Sequence, residues 1–292
     1  MSVGHGFGQL FRTRRGVTLF WQNALGSFGL LSGVLQVTLA LWSSVKLTPS
    51  QRWLALATLL GLAILFGVYK AWPRKKVTRE FSNPDVSLTV QVGDLFEQQT
   101  HLVIGFPDTF DTDATNSVVI AQNSVQGQFQ EKIYGNDFAR LDSELDAALA
   151  GVEPISSETV TGKPKGKLAR YPLATVAPLG GPSRYFFCVA YTEMGNNLIA
   201  QSSVDILWKS LDAVWDSVYL HGQRNSVSIP IVGSELARIS CLNRESLLKM
   251  IALSFVARSR ESAVCKELRI VIHPKDYEHI NMLEVAAFLR TL

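Results

Sequence analysis

Acidic residues are absent from roughly the first quarter of this 292-residue chain. Residues 1–79 contain ten Lys and Arg residues but no Asp or Glu, whereas residues 80–292 contain the other eighteen basic residues and all 25 acidic ones. The net charge of +3 therefore hides a basic first part and an acidic second part. Because the basic part is also the more apolar one, the charge does not indicate nucleic-acid binding, and no nucleic-acid partner is expected.

Cysteine and charged residues are also scarce. The chain has three cysteines, Cys188, Cys241 and Cys265, which is too few for a disulfide-rich scaffold. Charged residues make up 18% and hydrophobic residues 47% of the chain, a composition that excludes a disordered or collagen-like protein. An odd number of cysteines without metal-ligand spacing suits a reducing compartment.

Two long uncharged runs predict a membrane hairpin. Residues 16–45 and 53–69 carry no formal charge, and a spanning helix needs roughly 17–25 mainly apolar residues. Tryptophans that suit the two membrane interfaces bracket the runs, at Trp21, Trp42, Trp53 and Trp72. We predict two spanning helices within residues 16–72, after a basic arm at residues 1–15. A secretory signal peptide would have a shorter apolar region, and a buried helical hairpin of a soluble protein is the other alternative.

The charges that flank the two runs predict their orientation. Arg12, Arg14 and Arg15 precede the first run, and five basic residues follow the second within positions 70–79. The short loop at positions 46–52 carries only two charges, one at each end. The positive-inside rule therefore places both termini, and everything after the hairpin, in the cytoplasm.

The first run also contains small and polar residues. Gly29-x-x-x-Gly33 is a pattern typical of helix contacts in membranes. Gln22, Asn23 and Gln36 carry amides that prefer a protein or water neighbour to lipid. The pattern suits contact between the two helices of one hairpin and self-association of the chain equally well, so both interpretations stay open.

Strand and helix patterns alternate in the rest of the chain. Residues 73–84 are predicted as a basic juxtamembrane linker, and residues 85–292 as one α/β domain with a mixed sheet flanked by helices. Strands are expected at residues 86–92, 101–105, 118–120, 171–179, 185–192, 227–232 and 268–272. Helices are expected at residues 129–149, 203–220, 243–260 and 276–292.

Residue patterns typical of catalysis or metal binding are lacking. The chain has no Walker loop, no nucleophile elbow and no dinucleotide-binding glycine pattern after a strand. No histidine has a metal-ligand partner at a recognised spacing, and His101 and His273, at strand ends, are expected to be structural. The basic loop at residues 163–167 is predicted to be solvated, with phosphate contact as the alternative. We therefore predict neither catalytic nor metal-binding residues.

The ends of predicted strands are better candidates for a ligand site. In open α/β sheets, ligands bind beyond the carboxyl ends of the strands, and a glycine there lets backbone N–H groups face an anion. The candidates follow the strands at 86–92, 101–105 and 227–232. They are Asp94, Leu95, Phe106, Pro107, Asp108, Thr109, Asp111, Gly233, Ser234, Glu235, Leu236, Ala237 and Arg238.

These motifs resemble those of macro domains, which bind ADP-ribose and related nucleotides. Gly93-Asp94-Leu95 after an alternating strand, and Gly233 after a late buried strand, are similar to the two ends of a macro-domain site. Residues 106–112, together with 123–129, resemble more specifically the divergent macro-like domain of Thoeris anti-phage effectors. In one branch of that family two membrane spans precede the domain, as predicted here.

The resemblance implies a membrane-anchored sensor in the bacterial inner membrane. A TIR-domain partner would make a signal derived from ADP-ribose, such as a conjugate of ADP-ribose with an amino acid. The resemblance implies no cofactor. Asp94 would hold the adenine, Leu95 would supply a backbone N–H, residues 233–238 would cradle the diphosphate and residues 106–112 would line the distal ribose. Binding would trigger disruption of the lipid bilayer and abortive infection. A homo-oligomer is expected, because assembly multiplies the coupling at each site.

Two departures from the macro-domain pattern favour binding without hydrolysis. Phe106-Pro107-Asp108 stands where hydrolytic macro domains have a loop rich in Asn and Gly, and residues 233–238 lack the later glycine of the usual pattern. Two alternatives remain beside the sensor. One is a membrane-tethered ADP-ribosyl hydrolase, and the other is a membrane-anchored scaffold whose domain binds only protein.

Overall fold

The computed structural model describes residues 3–42, 48–233, 239 and 241–292. The chain forms two compact units. The first contains Met1–Lys75 and Asn281–Ala287, and the second contains Lys76–Ile280 and Phe288–Leu292.

The first unit is built from long helices near the amino terminus. These are α1 (Val3–Arg12), α2 (Arg14–Leu41) and α3 (Pro49–Ala71). Thr13 caps α2 by accepting a hydrogen bond from the N–H of Gly16, and Thr48 caps α3 in a reciprocal arrangement with Gln51. Both α2 and α3 are long and apolar enough to cross a membrane. The stretch predicted as a basic arm instead contains α1 and the start of α2.

The contact between α2 and α3 uses a different glycine from the one that the sequence pattern pointed to. A Cβ atom on Gly67 would lie 2.9 Å from the Cβ of Ala24 and 3.1 Å from the carbonyl oxygen of Phe20, so this position requires glycine. A Cβ atom on Gly29 or Gly33 would meet nothing within 4 Å. The Gly29-x-x-x-Gly33 pattern therefore takes no part in the hairpin contact.

A mixed sheet forms the centre of the second unit. Its strands are β1 (Lys76–Ser82), β2 (Asp85–Val92), β3 (His101–Pro107), β6 (Val176–Gly181), β7 (Arg184–Met194), β9 (Val227–Pro230) and β10 (Glu267–Ile272), with the short β8 (Ala200–Gln201) on β7. The order is β1-β2-β10-β9-β3-β7-β6. The five central strands are parallel, and β1 and β6 pair antiparallel at the two edges. A separate small hairpin pairs β4 (Ser156–Ser157) with β5 (Ala169–Arg170).

Helices flank this sheet, which confirms the predicted fold class. They are α4 (Val125–Tyr134), α5 (Phe138–Leu149), α6 (Val204–His221) and α7 (Arg244–Glu261), and α8 (Met282–Thr291) ends the chain. One buried cluster joins α4 and α5 to β3, β6 and β7 through residues such as Phe106, Phe129 and Leu145. This burial of apolar side chains is the main stabilising contribution to the unit.

Several predicted elements differ from the observed ones. The stretch predicted as a linker at 73–84 contains β1, whose residues from Lys76 to Ser82 all pair with β2. The sequence hides β1 because an exposed edge strand lacks an apolar alternation. The single helix expected at 129–149 is two helices, since Gly135 adopts a φ of +60° and ends α4. Residues 118–120 form no strand, and α8 begins at Met282 rather than at residue 276.

His101 has the structural role expected of it, at the start of β3. Its Nε2–H donates to the carbonyl oxygen of Gly222 at 3.1 Å, while its Nδ1 accepts from the N–H of Tyr185 at 2.9 Å. Only a neutral imidazole makes both hydrogen bonds. Burial lowers the pKa of His101 below its usual value of 6.5, and the nearby Arg184 lowers it further. The ring therefore joins β3, β7 and the end of α6 in its uncharged form.

Acidification is expected to destabilise the fold through His101. Because the pKa of His101 is lower in the folded chain, the unfolded chain binds the proton more readily. The stability that neutral His101 contributes is therefore present above about pH 6.5 and is lost as the pH falls below that value. Urea unfolding of full-length protein in detergent at several pH values should show this loss. The loss should be smaller in His101→Asn, which at neutral pH should itself be less stable by about 1–3 kcal/mol. The exposed His279→Gln is the control, and an undiminished loss in His101→Asn would contradict the assignment.

Candidate functional site

The carboxyl ends of the five parallel strands lie along one edge of the sheet, where α/β proteins bind ligands. The first residues beyond these strands are Gly93, Asp108, Gly195, Ile231 and His273. Asp94 and Asp108 therefore stand beyond β2 and β3, with β10 and β9 between those two strands. The structure thus brings the separate predicted strand ends to one edge.

Asp94 is half-buried and already engaged by neighbouring groups. Its Oδ2 lies 2.6 Å from the Nζ of Lys132, and its Oδ1 accepts from the N–H of Phe96 at 2.8 Å. Burial acts to raise the pKa of Asp94, but the hydrogen bonds from Lys132 and Phe96 and the charge of Lys132 outweigh it and hold the pKa below its usual value. Each carboxylate oxygen keeps a lone pair with which it can accept from an amino group. The side chain of Leu95 packs into the core, and its carbonyl oxygen accepts from the N–H of Gln98 at 3.2 Å.

The end of β3 and the segment after it are mostly buried. Phe106 stacks on Phe110 with ring centroids 5.8 Å apart, and both belong to the core. Thr109 and Asp111 are fully buried, and Pro107 is also buried. Of the residues predicted to line the distal ribose, Asp108 borders an open cleft.

Asp108 is part of a charged cluster around Arg170. Its Oδ2 accepts from Nη1 of Arg170 at 2.7 Å, and its Oδ1 accepts from the N–H of Met194 at 2.8 Å. The same guanidinium donates to Glu158 at 2.7 Å and to the side chain of Asn196 at 3.0 Å. Burial acts to lower the pKa of Arg170, but the hydrogen bonds and charges of Glu158 and Asp108 raise it overall.

This cluster lines a cleft of about 600 Å³. One wall comes from residues 155–171, which we name the strap, and the other comes from Asp108 and the end of β7. The cleft contains the carboxylates of Asp108, Glu158 and Glu193 but one guanidinium, that of Arg170, so it favours a positively charged group. Sequence patterns did not indicate Glu158, Arg170 or Asn196. The only signal was the unusual length of the connection between α5 and β6.

A second, smaller cleft of about 390 Å³ lies beside the start of α4. Its polar lining includes Asn116, Gln122, Glu131 and Asn136. Ser124 caps α4 by accepting from the N–H of Gly127 at 3.0 Å. This segment overlaps residues 123–129, whose sequence resembles part of the macro-like domain of Thoeris effectors.

The loop after β9 is described only in part. Gly233 has a φ of +86°, and a Cβ atom there would lie 3.0 Å from Cδ1 of Ile239, so the position favours glycine. Ser234, Glu235, Leu236, Ala237 and Arg238 lie outside the described residues. Their role as a diphosphate cradle therefore stays a prediction.

The prediction that the basic loop at 163–167 is solvated is wrong for Lys163. Its side chain is fully buried, and its Nζ lies 2.9 Å from Oδ2 of Asp111. The sequence could not show this, because the partner comes from the segment after β3, far away along the chain. Across the described residues, no group of three or more His, Cys, Asp or Glu side chains is placed to hold a metal ion.

A match to a protein family agrees with this architecture. The fold and the strand-end site define a macro-type α/β domain. Residues 88–273 match the family described as Thoeris protein ThsA, Macro domain, and this match covers more than half of the chain. The protein therefore belongs to the Thoeris ThsA macro-domain family.

Solved structures of other macrodomains are similar to this chain at low sequence identity. A mutant of the Oceanobacillus iheyensis macrodomain has 12% identity and a TM-score of 0.49 over 75% of this chain and 96% of its own. The same macrodomain with ADP has 11% identity and a TM-score of 0.47 over 75% of this chain and 100% of its own. A mutant with ADPR has 12% identity and a TM-score of 0.47 over 74% and 100%. No curated protein matches the chain.

Removing the guanidinium of Arg170 is expected to destabilise the domain strongly. In Arg170→Met, Asp108 keeps a buried negative charge without its partner, which costs about 3–5 kcal/mol. Urea unfolding of the full-length protein measures the loss. The control is Arg140→Met, which breaks an exposed pair with Glu144 and should cost only about 0.3–0.5 kcal/mol. Equal losses of stability in the two variants would contradict the conclusion that Arg170 compensates the buried charge of Asp108.

Proposed function

We propose that this protein is a membrane-anchored sensor for an ADP-ribose-type nucleotide. The observation that carries the proposal is the presence, in one chain, of a Thoeris ThsA macro domain and of two preceding helices long and apolar enough to cross a membrane. The macro domain binds the signal, and the apolar helices form the effector part in the bacterial inner membrane. A TIR-domain protein makes the signal, and the response is membrane disruption and abortive infection.

The ligand lies along the carboxyl edge of the sheet. Asp94, beyond β2, accepts from the adenine amino group, and the loop after β9, beginning at Gly233, faces the diphosphate. This placement is supported by the parallel order β2-β10-β9-β3-β7, which sets these strand ends in a row. The distal ribose then lies towards the 600 Å³ cleft that Asp108 lines.

The signal carries an amine-bearing substituent on its distal side, as an amino-acid conjugate does. The charge of the cleft supports this, because three carboxylates there face one guanidinium. An ammonium group that meets an exposed carboxylate such as that of Glu193 makes charge-assisted hydrogen bonds, which are roughly twice as strong as neutral ones. Plain ADP-ribose lacks this ammonium group and would bind more weakly.

Asp94→Ala is expected to weaken ADP-ribose binding by at least tenfold, which corresponds to about 1.4 kcal/mol. The reason is the loss of the acceptor for the adenine amino group. Calorimetry on the full-length protein in detergent measures the dissociation constant. Asp85→Ala is the matched control, because this exposed carboxylate lies at the opposite end of the same strand. Wild-type affinity in Asp94→Ala would remove Asp94 from the site, and a wild-type protein that ignores ADP-ribose derivatives would contradict the proposed function.

The sensor binds its ligand without turning it over. A ligand shifts a conformational equilibrium only through its differential affinity for the two states. The shift lasts only while the intact ligand is bound, so a receptor that does not hydrolyse its ligand keeps the response. Chromatography of the calorimetry samples should recover the nucleotide intact. Ligand added to liposomes that contain the protein should release an enclosed dye, and release that does not depend on ligand would count against gating.

Both termini and the macro domain face the cytoplasm. The proposal rests on the distribution of charge, since Arg14 and Arg15 begin α2, and Lys70, Arg74 and Lys75 lie at the end of α3 or just beyond it. Neither α2 nor α3 contains an acidic residue. This orientation puts the nucleotide site in the compartment where a signal made from NAD accumulates.

Oligomers form through one face of α2. Gln22, Gly26, Gly29, Gly33 and Gln36 follow one another at spacings of four and three residues, so they share a face. This face lies opposite to Phe20 and Ala24, which contact α3. A Cβ atom on any of the three glycines would meet nothing within 4 Å, and both glutamines are exposed. Amides exposed to lipid are unfavourable, and a second α2 would provide both partners for the amides and close backbone contact at the glycines.

Replacing two of these glycines is expected to break the oligomer. Gly29→Leu combined with Gly33→Leu separates the backbones of the paired helices. The protein concentration at which half of the chains are assembled should rise at least tenfold. Light scattering of detergent-solubilised protein measures the mass. Gly61→Leu is the control, because a Cβ atom on this glycine of α3 also meets nothing within 4 Å. Assemblies of unchanged mass in the double variant would exclude this face as the interface.

A further inference from the structure

Lys163, in the middle of the strap, is buried against Asp111. Both side chains are 0% exposed. The Nζ of Lys163 donates to Oδ2 of Asp111 at 2.9 Å, to Oδ1 at 3.2 Å and to the carbonyl oxygen of Lys167 at 2.6 Å. Taking two charges out of water is unfavourable, and a well-packed apolar pair in the same place is often equally stable. Stability alone therefore gives a poor account of this ion pair.

The strap and Thr109 surround the carboxylate of Asp111 with donors. Besides Lys163, the hydroxyl of Thr109 donates to Oδ2 at 2.5 Å, and the N–H of Lys167 donates to Oδ1. Gly166 has a φ of +81°, and a Cβ atom there would collide with Oδ1 of Asp111. Because these donors and its burial fully engage Asp111, it has no surface for a ligand and acts through the strap instead.

The position of the strap sets the shape of the ligand cleft. Strap residues form one wall, which includes Glu158, Arg170 and Tyr171. Ion pairs fix the strap at two further points, where Arg170 meets Asp108 at 2.7 Å and Lys167 meets Asp142 at 2.6 Å. Lys163 lies between the two ends of this wall along the chain and is the deepest of the three basic anchors, since the other two side chains are 11% and 28% exposed.

We propose that Lys163 is a positioning residue for the nucleotide site. By holding Asp111, it fixes the strap so that Arg170 reaches Asp108 and Glu158 lines the cleft beside them. It touches no ligand itself. The inference rests on the proposed function, because it takes this cleft as part of the ligand site.

Lys163→Met tests the inference in the full-length protein in nanodiscs, with ADP-ribose as the probe. We expect the dissociation constant to rise at least tenfold and amide hydrogen exchange in residues 155–171 to quicken at least tenfold relative to the central strands. Lys165→Met is the matched control, since this exposed lysine lies two residues further along the same loop. It should change the affinity by less than twofold.

A double variant separates positioning from mere stability. Asp111→Asn combined with Lys163→Met removes the uncompensated buried charge and should recover much of the lost thermal stability. Because neither new side chain holds the strap by charge, the affinity for ADP-ribose should stay at least tenfold weaker. Recovery of wild-type affinity in the double variant, or wild-type affinity in a folded Lys163→Met, would overturn the inference and leave the proposed function intact. A wild-type protein that does not bind ADP-ribose derivatives would overturn the proposed function itself.

Discussion

Two buried carboxylates in the segment after β3 organise the candidate site. Asp108 is neutralised by Arg170 and Asp111 by Lys163, and both basic residues belong to the strap. A buried charge without a partner is strongly destabilising. The position of the segment after β3 is therefore coupled to the position of the strap. The two pairs join the strap to the segment after β3, and Arg170 and Asp108 both line the cleft. Its net negative charge follows from the same residues, since Glu158 and Glu193 add charge that Arg170 does not balance.

The first unit follows a different physical rule. In the second unit, charges are buried in pairs, whereas α2 and α3 contain no acidic residue and depend on small side chains for close contact. Gly67 serves the contact with Ala24 and Phe20, and the glycines of α2 face away from it. The two sets of glycines look alike in the sequence. They differ in what lies opposite them, since Gly67 faces α2 while the glycines of α2 have no neighbour within 4 Å of a Cβ position.

Sequence reasoning was most successful where a local pattern matched the tertiary environment. The strands β2, β9 and β10 and the helices α6 and α7 lie close to where periodicity placed them, because burial on the sheet imposes that periodicity. It failed for β1, an exposed edge strand without apolar alternation, and for the break at Gly135 between α4 and α5. Asp94 and Asp108 were predicted as site residues by the rule that ligands bind beyond strand ends, and the structure places both beyond such ends. Thr109 and Asp111 satisfied the same rule along the chain, yet their side chains point into the protein.

The sequence by itself determined the division into an acid-free apolar part and an acidic α/β part, since hydropathy and charge are summed over neighbouring residues. It also determined that the chain resembles a macro domain, because strand-end motifs are short and local. Only the tertiary structure decided that Lys163 is buried, that Arg170 neutralises Asp108, and that Gly67 rather than Gly29 or Gly33 contacts the partner helix. The physical reason is that ion pairs and close backbone contacts join residues far apart in the chain. The hydrophobic periodicity of a segment depends on neighbouring residues and therefore does not predict such distant partners.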